Sequence, residues 1–299
     1  MLISFKRSIL IRGVGRPSTA AAVRGVGHNA LKVVASGSSP RRTSVHPVLA
    51  VVAFAAGLYG MGKGGAAVSR HGIHVTLATA ETLLALPSLI ALAISGIPLA
   101  AGLGLKPVPA RTALLSALAG GALWSASLGL MNVQFMLWRP PPEYLDYFRG
   151  LHELLRPQTV VAGVLSIAAI ALMPALCEET LFRGVLLPSF ARAYPVFGLL
   201  GSSLFFAAIH ADPLGQSLVF YRLPFAFAVG LGLAALRLLT GSLLPSMVAH
   251  AVLNTITFLT VFLSGAASDA LEEPQALSGL LLLVGGAAAT AWLFRALRR

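Results

Sequence analysis

The chain has 299 residues, of which 57% are hydrophobic and only 11% are charged, and its mean hydropathy is +0.83. A soluble domain carries about 25% charged residues, so this composition excludes a soluble protein and identifies an integral membrane protein. The formal net charge of +12 does not indicate nucleic-acid binding, because eight of the 22 Lys and Arg residues lie before residue 43, where there is no Asp or Glu.

Residues 1–45 form a basic segment that is also rich in Gly, Ser and Ala. This composition predicts a disordered tail that lies on anionic lipid. An organellar transit peptide has the same Arg-rich and acid-poor bias and stays the alternative. A secretory signal is not predicted, because no short apolar region with a cleavage site begins the chain.

Apolar runs follow the tail and predict the membrane spans. They fall near 47–62, 83–105, 112–138, 159–182, 196–211, 216–236, 243–263 and 277–294. Most of them approach the ~20 residues that a helix needs to cross a bilayer. The first is short and is interrupted by Gly57 and Gly60, so we expect seven or eight spans. Because no run alternates as an outer-membrane strand does, the predicted fold is all-α: a polytopic membrane helix bundle of about eight transmembrane helices.

The loop charges predict the orientation of the bundle, since Lys and Arg are enriched on the cytoplasmic side. With the N-terminus inside, sixteen Lys and Arg residues fall in inner segments and five in outer loops. The outer side also receives the acidic cluster Asp269, Glu272 and Glu273. Both termini are therefore predicted to be cytoplasmic. The Ala-, Gly- and Arg-rich composition favours a bacterial inner membrane, with an organellar membrane as the alternative.

The remaining chain divides into four predicted regions. Residues 46–138 are the N-terminal transmembrane helices, with few polar residues beyond Glu81, Asn132 and Gln134. Residues 139–158, "RPPPEYLDYFRGLHELLRPQ", predict an amphipathic interfacial helix with Tyr144, Tyr147 and Phe148 at headgroup depth. Residues 159–263 hold most intramembrane polar residues and are the predicted functional core. Residues 264–299 are the acidic loop and the last transmembrane helix.

The stretch "PALCEETLFRG" places charges directly after an apolar run. A charge at the bilayer centre costs about 2.5–3.5 kcal/mol or more, so it is by default a functional hypothesis. Glu179 and Arg183 are four residues apart on a helix and can pair, which alone would be a structural role. Glu178 points elsewhere without a local counter-charge, and a desolvated carboxylate takes up a proton readily, as a general base must. Pro174 can kink the helix at this point.

Two further polar sites interrupt apolar helices. His210 follows Phe206 by one turn on the same face, and a lone histidine near a helix end is more often structural. His250 and Asn254 also share a helix face, where interhelical hydrogen bonding is the alternative to a functional role. A rise of 1.5 Å per residue places Glu178, His210, His250 and Asn254 about 18, 21, 12 and 18 Å above the inner helix ends. We therefore expect them to converge in a pocket that opens toward the cytoplasmic half.

A carboxylate, two imidazoles and a carboxamide around a polar pocket favour hydrolysis of a peptide bond. Glu178 is the predicted base, and His210 and His250 would bind the water directly or share a metal whose bound water ionises more easily. Asn254 would donate to the oxyanion. The single cysteine, Cys177, excludes an intramolecular disulfide and a Cys-rich metal site.

The residues of these three sites resemble the ordered motifs of the CPBP family, the CAAX-protease and bacteriocin-processing group. It is also called the Abi or type II CAAX prenyl endopeptidase family. The motifs are Glu178-Glu179-x-x-x-Arg183, Phe206-x-x-x-His210 and His250-x-x-x-Asn254, and every motif position is filled. The resemblance covers about residues 159–263, and the N-terminal third lies outside it.

This resemblance implies an intramembrane endopeptidase of about eight helices. It implies that Glu178 and His210 activate the water, that His250 and Asn254 form the oxyanion site, and that Glu179 and Arg183 are a supporting ion pair. Phe206 would be a pocket residue. Family members are often labelled metalloproteases, and Glu178, His210 and His250 could ligate zinc or another divalent metal.

The substrate class and the rival functions stay open at this point. The family implies membrane lipid and a protein or peptide substrate as partners, with a prenylated CAAX-type tail, a leader peptide or a sorting signal as substrate. The alternatives are a transporter or channel with an intramembrane proton or ion path, and a non-catalytic immunity or scaffold protein of the same fold. A transporter predicts inverted repeats with polar sites in both halves, whereas a scaffold predicts the loss of motif residues.

Overall fold

The computed structural model describes residues 43–192, 194–210, 219–263 and 276–299. Within these ranges the chain forms α-helices joined by short connections and no strand, which confirms the all-α membrane bundle. The basic tail up to residue 42 and the acidic cluster Asp269, Glu272 and Glu273 lie outside the described residues.

Most helices follow the apolar runs of the sequence, but the run predicted over 83–105 is divided between the second helix, which already begins at Ile73, and a short third helix. They are α1 Pro47–Val68, α2 Ile73–Ile94, α3 Leu99–Leu103, α4 Ala110–Leu137, α5 Pro142–Leu155, α6 Val160–Phe190, α7 Pro195–Ile209, α8 Val219–Thr240, α9 Leu244–Leu263 and α10 Ala276–Leu297. Seven of these, all except α3, α5 and α7, are long and apolar enough to cross a membrane. With its 15 residues α7 reaches only about 22 Å, and so the eighth predicted span is a shorter helix.

The first helix is longer than its apolar run predicts, because its glycines do not interrupt it. Gly57 is buried, and a methyl group at this position would clash with the backbone carbonyl of Leu84 in α2. The glycine therefore lets α1 and α2 pack backbone to backbone, as small residues do between membrane helices.

Helix α4 crosses the middle of the bundle and packs against α8, α9 and α10. Two of these contacts depend on glycine, since a methyl at Gly120 would clash with the Ala249 carbonyl and one at Gly129 with the backbone of Leu283. Close approach between apolar helices is stabilised by van der Waals contact along their length. It also fixes the position of His250, which directly follows Ala249 on α9.

Helix α5 lies where the interfacial segment is predicted, but its aromatic side chains pack into the protein rather than facing outward. Tyr144 is 1% exposed and packs edge-on against Phe135 of α4, with ring centroids 5.6 Å apart. Tyr144 and Phe148 also contact each other, with centroids 4.8 Å apart. Helix α5 is thus anchored on α4 through an aromatic cluster.

Candidate active site

Helix α6 carries two stretches of wider π-helical winding on either side of the acidic motif. The helix begins after Thr159, whose hydroxyl accepts a hydrogen bond from the Ala162 amide. The π-helical stretches are Ala168–Leu172 and Thr180–Leu186, and the α-helical turn Met173–Glu179 lies between them. Such π-bulges are rare and occur frequently at functional sites. Here they bracket Glu178 and Glu179.

Pro174 and Asn254 are linked through one backbone carbonyl. Because proline has no N–H, Pro174 cannot donate to the Ile170 carbonyl in an α-helical turn. The side-chain amide of Asn254 donates to that carbonyl instead, at 3.2 Å. Asn254 therefore holds α9 against the kinked part of α6, and since a carboxamide nitrogen carries two hydrogens, one is left for another acceptor.

Glu179 and Arg183 form a fully buried ion pair on α6. Arg183 Nη1 lies 2.6 Å from Glu179 Oε1, and both side chains are 0% exposed. Arg183 Nη2 donates to the Gly230 carbonyl of α8 at 2.9 Å. Glu179 Oε1 also accepts from His250 Nδ1 at 3.1 Å. The pair thereby ties α6 to α8 and orients the imidazole of His250 on α9.

Glu178 lies between two imidazoles that come from different helices. Its Oε1 is 4.0 Å from His210 Nε2, and its Oε2 is 3.9 Å from His250 Nε2. These distances are too long for direct hydrogen bonds, which span about 2.7–3.2 Å. In either pair, a water about 2.8 Å from both the carboxylate oxygen and the imidazole nitrogen would bridge the two atoms. Glu178 Oε2 is buried without a hydrogen-bond partner, so it is a polar atom that such a water would satisfy.

The hydrogen bonds of the two imidazoles decide which nitrogen faces Glu178. His210 Nδ1 lies 2.8 Å from the Phe206 carbonyl, which can only accept, so Nδ1 carries a hydrogen and donates it. In the neutral ring, Nε2 is then an acceptor. In His250 the Nδ1 hydrogen is likewise donated, here to the Glu179 carboxylate, and Nε2 is turned toward Glu178. Both rings therefore present Nε2 to the space around Glu178.

Phe206 connects these groups by packing rather than by hydrogen bonds. Its ring is 4.6 Å from the His210 ring and 5.8 Å from the His250 ring, measured between centroids. The Arg183 guanidinium lies 4.4 Å from its centroid on the other side, in a cation–π contact. Phe206 is 2% exposed and so separates the buried ion pair from the open side of the site.

Two adjoining cavities meet at His210. The smaller one has a volume of about 140 Å³ and is lined by His210, His250 and Asn254, together with Phe206 and neighbouring residues of α8 and α9. At about 30 Å³ per water, it is large enough for several water molecules. The larger one has a volume of about 330 Å³ and is mostly apolar. The two cavities adjoin, because both are lined by His210, Arg222, Phe225 and Thr257.

The larger cavity is lined by Phe258, Val261 and Phe262 at the end of α9, by the second half of α4, and by α5. The loop charges predict these helix ends to be outside, whereas the depth estimate predicts a pocket that opens toward the cytoplasmic half. The side of the membrane that the cavity faces stays a prediction.

The geometry of the site does not fit a bound metal. Ligands about 2.1 Å from a tetrahedral zinc lie about 3.4 Å apart and point at one centre. Here the two imidazoles face different oxygens of Glu178, at 3.9 and 4.0 Å. In the part of the chain that the structure describes, no group of three or more His, Cys, Asp or Glu side chains is arranged to hold a metal ion. The reaction below is therefore derived without a metal step.

Two features of the site were not predicted from the sequence. Arg222 lines both cavities, and its guanidinium lies 3.8 Å from the centroid of the Phe148 ring. The rule that an intramembrane ionisable residue marks a site would have found it. The π-helical stretches of α6 had no sequence signal except Pro174.

Comparison with known proteins finds one family model that matches the part of the chain with the three motifs. Residues 160–256 match the family model described as Type II CAAX prenyl endopeptidase Rce1-like. The match covers about a third of the chain, includes every motif residue from Glu178 to Asn254, and confirms the resemblance seen in the motifs. It indicates a membrane protease with a protein or peptide substrate. No curated protein and no solved structure shows significant similarity to the chain.

Proposed function

We propose that the protein is an intramembrane endopeptidase in which Glu178 acts as the general base on a water held by His210 and His250. The observation that carries this proposal is the position of the Glu178 carboxylate, with an imidazole Nε2 facing each of its oxygens at 3.9–4.0 Å. The match to a family of CAAX prenyl endopeptidases supports the same chemistry.

The reaction begins with the orientation of the water. One hydrogen points to a Glu178 oxygen and the other to His210 Nε2, which is the acceptor because Nδ1 donates to Phe206. A lone pair of the water then faces the cavity, where the substrate carbonyl lies. Glu178 takes the proton as the water oxygen bonds to the carbonyl carbon, a contribution that is worth about 10²–10⁴ in rate.

The oxyanion is stabilised from the α9 side of the cavity. Asn254 has one amide hydrogen beyond the one that it gives to Ile170. A His250 ring that holds a hydrogen on both nitrogens before the water adds donates from Nε2 while Nδ1 stays on Glu179. When the intermediate collapses, the C–N bond breaks and Glu178 returns its proton to the leaving nitrogen, so the products are a carboxylic acid and an amine. Transfer of the acid's proton to the amine then gives a carboxylate and an ammonium ion.

Glu179 and Arg183 act through His250 and take no part in bond making. The carboxylate of Glu179 accepts the Nδ1 hydrogen of His250 and so fixes the ring, as the acid does in other histidine-based sites. Arg183 neutralises Glu179 and fixes its position at 2.6 Å.

The cavities support an apolar peptide segment as substrate. The space of about 330 Å³ lies at the lower end of the ~300–1,000 Å³ range of ligand sites. A prenylated CAAX-type tail, a leader peptide and a sorting signal all have apolar residues near the cleaved bond.

The test uses the full chain reconstituted in vesicles and a panel of internally quenched peptides from these three classes. The Glu178→Gln variant should lose cleavage by about 10²–10⁴, while its insertion and its unfolding temperature stay those of the wild type. The matched control is Cys177→Ala, one residue earlier on α6, which should retain cleavage. Normal turnover by Glu178→Gln would remove Glu178 as the base.

A further inference from the structure

Glu81 on α2 is a half-buried acid that the catalytic residues Glu178, His210 and His250 leave without a role. Its Oε2 is inaccessible to solvent and has no hydrogen-bond partner. An acid in an apolar membrane helix is costly and marks a functional position by default. Helix α2 carries this residue in its middle, so its location in the bundle decides what it can do.

Glu81 belongs to a helix that contacts the turn carrying the catalytic carboxylate. Helix α2 packs against the Met173–Glu179 turn of α6, and Glu81 is near enough to both Cys177 and Glu178 to interact with them electrostatically. Neither of the two cavities at His210 is lined by a residue of α2. Glu81 can therefore act on the Glu178 turn from a helix that does not line the substrate space.

Glu81 belongs to a polar stripe along α2. His74, Glu81 and Ser88 are separated by seven residues each and therefore lie on one face of the helix. His74 Nε2 is hydrogen-bonded to Ser166 Oγ of α6 at 2.8 Å, so this face looks toward α6. Ser88 is 0% exposed, and its hydroxyl, like Glu81 Oε2, has no hydrogen-bond partner.

Buried polar atoms without protein partners are usually satisfied by ordered water. Glu81 Oε2 and Glu178 Oε2 are two such atoms on neighbouring helices. Peptide hydrolysis also consumes one water in each turnover, whereas an apolar substrate in the cavities displaces water from that side. A second, polar route to Glu178 would supply the water without disturbing the bound substrate.

We propose that the α2 stripe from His74 to Glu81 is a water path between α2 and α6, and that Glu81 is a positioning residue which holds the next water for Glu178. This inference rests on the proposed function for the reaction that the water serves. Bond making and proton transfer stay with Glu178 and the two imidazoles. Glu81 acts by keeping a water in place between the two carboxylates.

The kinetic test compares Glu81→Leu, Glu81→Gln and the control Thr82→Leu in reconstituted full-length protein, with a quenched peptide that the wild type cleaves. Thr82 is the next residue of α2, and its exposed side chain bonds only to its own helix, at the Ala78 carbonyl. Glu81→Leu should lower kcat about tenfold, the effect of losing one water contact, and leave KM unchanged because α2 does not line the cavities. Glu81→Gln should recover most of kcat, since an amide still binds water. Unchanged kcat in Glu81→Leu, or an equal loss in both Glu81 variants, would overturn the proposal.

The second measurement needs no substrate and uses Cys177, the single cysteine of the chain. A small charged methanethiosulfonate reaches a thiol only through water, so wild-type Cys177 should be labelled. Labelling should slow about tenfold in Glu81→Leu and stay unchanged in Thr82→Leu. An unlabelled wild type, or equal labelling in Glu81→Leu, would refute the water path. If no peptide is cleaved by the wild type, the proposed function fails, while labelling still tests the path by itself.

Discussion

The buried pair of Glu179 and Arg183 allows structural and catalytic roles to be separated in one experiment. Arg183→Met leaves Glu179 at 0% exposure without its arginine counter-charge and removes the bond to the Gly230 carbonyl. Breaking a buried ion pair in this way costs about 3–5 kcal/mol of stability. The double variant Glu179→Leu with Arg183→Met removes both charges, and such replacements are often neutral or stabilising. We therefore expect the single variant to unfold early and the double variant to recover most of the stability.

Activity should not follow stability in this pair of variants. The double variant lacks the Glu179 oxygen that accepts from His250 Nδ1 at 3.1 Å. A hydrogen bond to a charged group is worth about 1.5–3 kcal/mol, which corresponds to roughly a 10–150-fold loss in kcat/KM. The assay is denaturant unfolding in micelles beside peptide cleavage in vesicles.

The outcomes of this experiment distinguish three interpretations. A double variant that is stable and poorly active supports Glu179 as the residue that orients His250. Full activity in the stable double variant would mean that the pair only holds the bundle together. A single variant as stable as the wild type would refute the reasoning from buried charge.

Three further predictions follow from the same geometry. Gly120→Ala should destabilise the bundle and lower activity because its methyl would clash with the Ala249 carbonyl beside His250. The control in both assays is Gly62→Ala, whose methyl would have nothing within 4 Å. Equal stability and activity of the two variants would contradict the close packing of α4 on α9. Asn254→Ala should lower kcat/KM by about tenfold or more, because it removes the oxyanion donor and the hydrogen bond to the Ile170 carbonyl. A wild-type kcat/KM in this variant would exclude Asn254 both as the oxyanion donor and as a residue that positions the site. Protein treated with a chelator and shown by metal analysis to be metal-free should keep its activity, because the donors of the described site do not point at one centre. Loss of activity on chelation, with recovery when zinc is added, would show that the site uses a metal.

The sequence was sufficient for those parts of the site that depend on helix periodicity and on the cost of polar groups in lipid. The Glu179–Arg183 pair follows from a spacing of four. The apolar runs predict seven or eight spans because most of them approach the length of a bilayer, and seven of the described helices are long enough to cross one. The depth estimate put Glu178, His210 and His250 near each other, and the structure places their side chains within 4.0 Å in two pairs. These predictions use rules that apply within one helix, and the packing of the helices against each other does not change their outcome.

What the sequence could not provide depends on how helices meet. The orientation of His250 is set by Glu179, 71 residues earlier, and that of Asn254 by the carbonyl of Ile170, 84 residues earlier. The position of the cavities depends on how α4, α5, α8 and α9 meet, which no local pattern encodes. Tyr144 and Phe148 are residue types that are typical of an interfacial helix, yet their side chains are buried in a hydrophobic cluster with residues of α4.

The two glutamates of α6 show how neighbouring identical residues acquire different chemistry. One helix position apart, they diverge by about 100°, so Glu179 meets Arg183 and His250, whereas Glu178 meets two Nε2 atoms across gaps that a water can fill. Through its Oε1, the first pairs with Arg183 and accepts a hydrogen bond from His250, and so holds these groups in place. The second lies too far from either imidazole for a direct hydrogen bond, so it is the carboxylate that gains from binding a water. The division of labour between support and catalysis therefore follows from the helix turn itself, and exchanging the two environments would exchange the two roles.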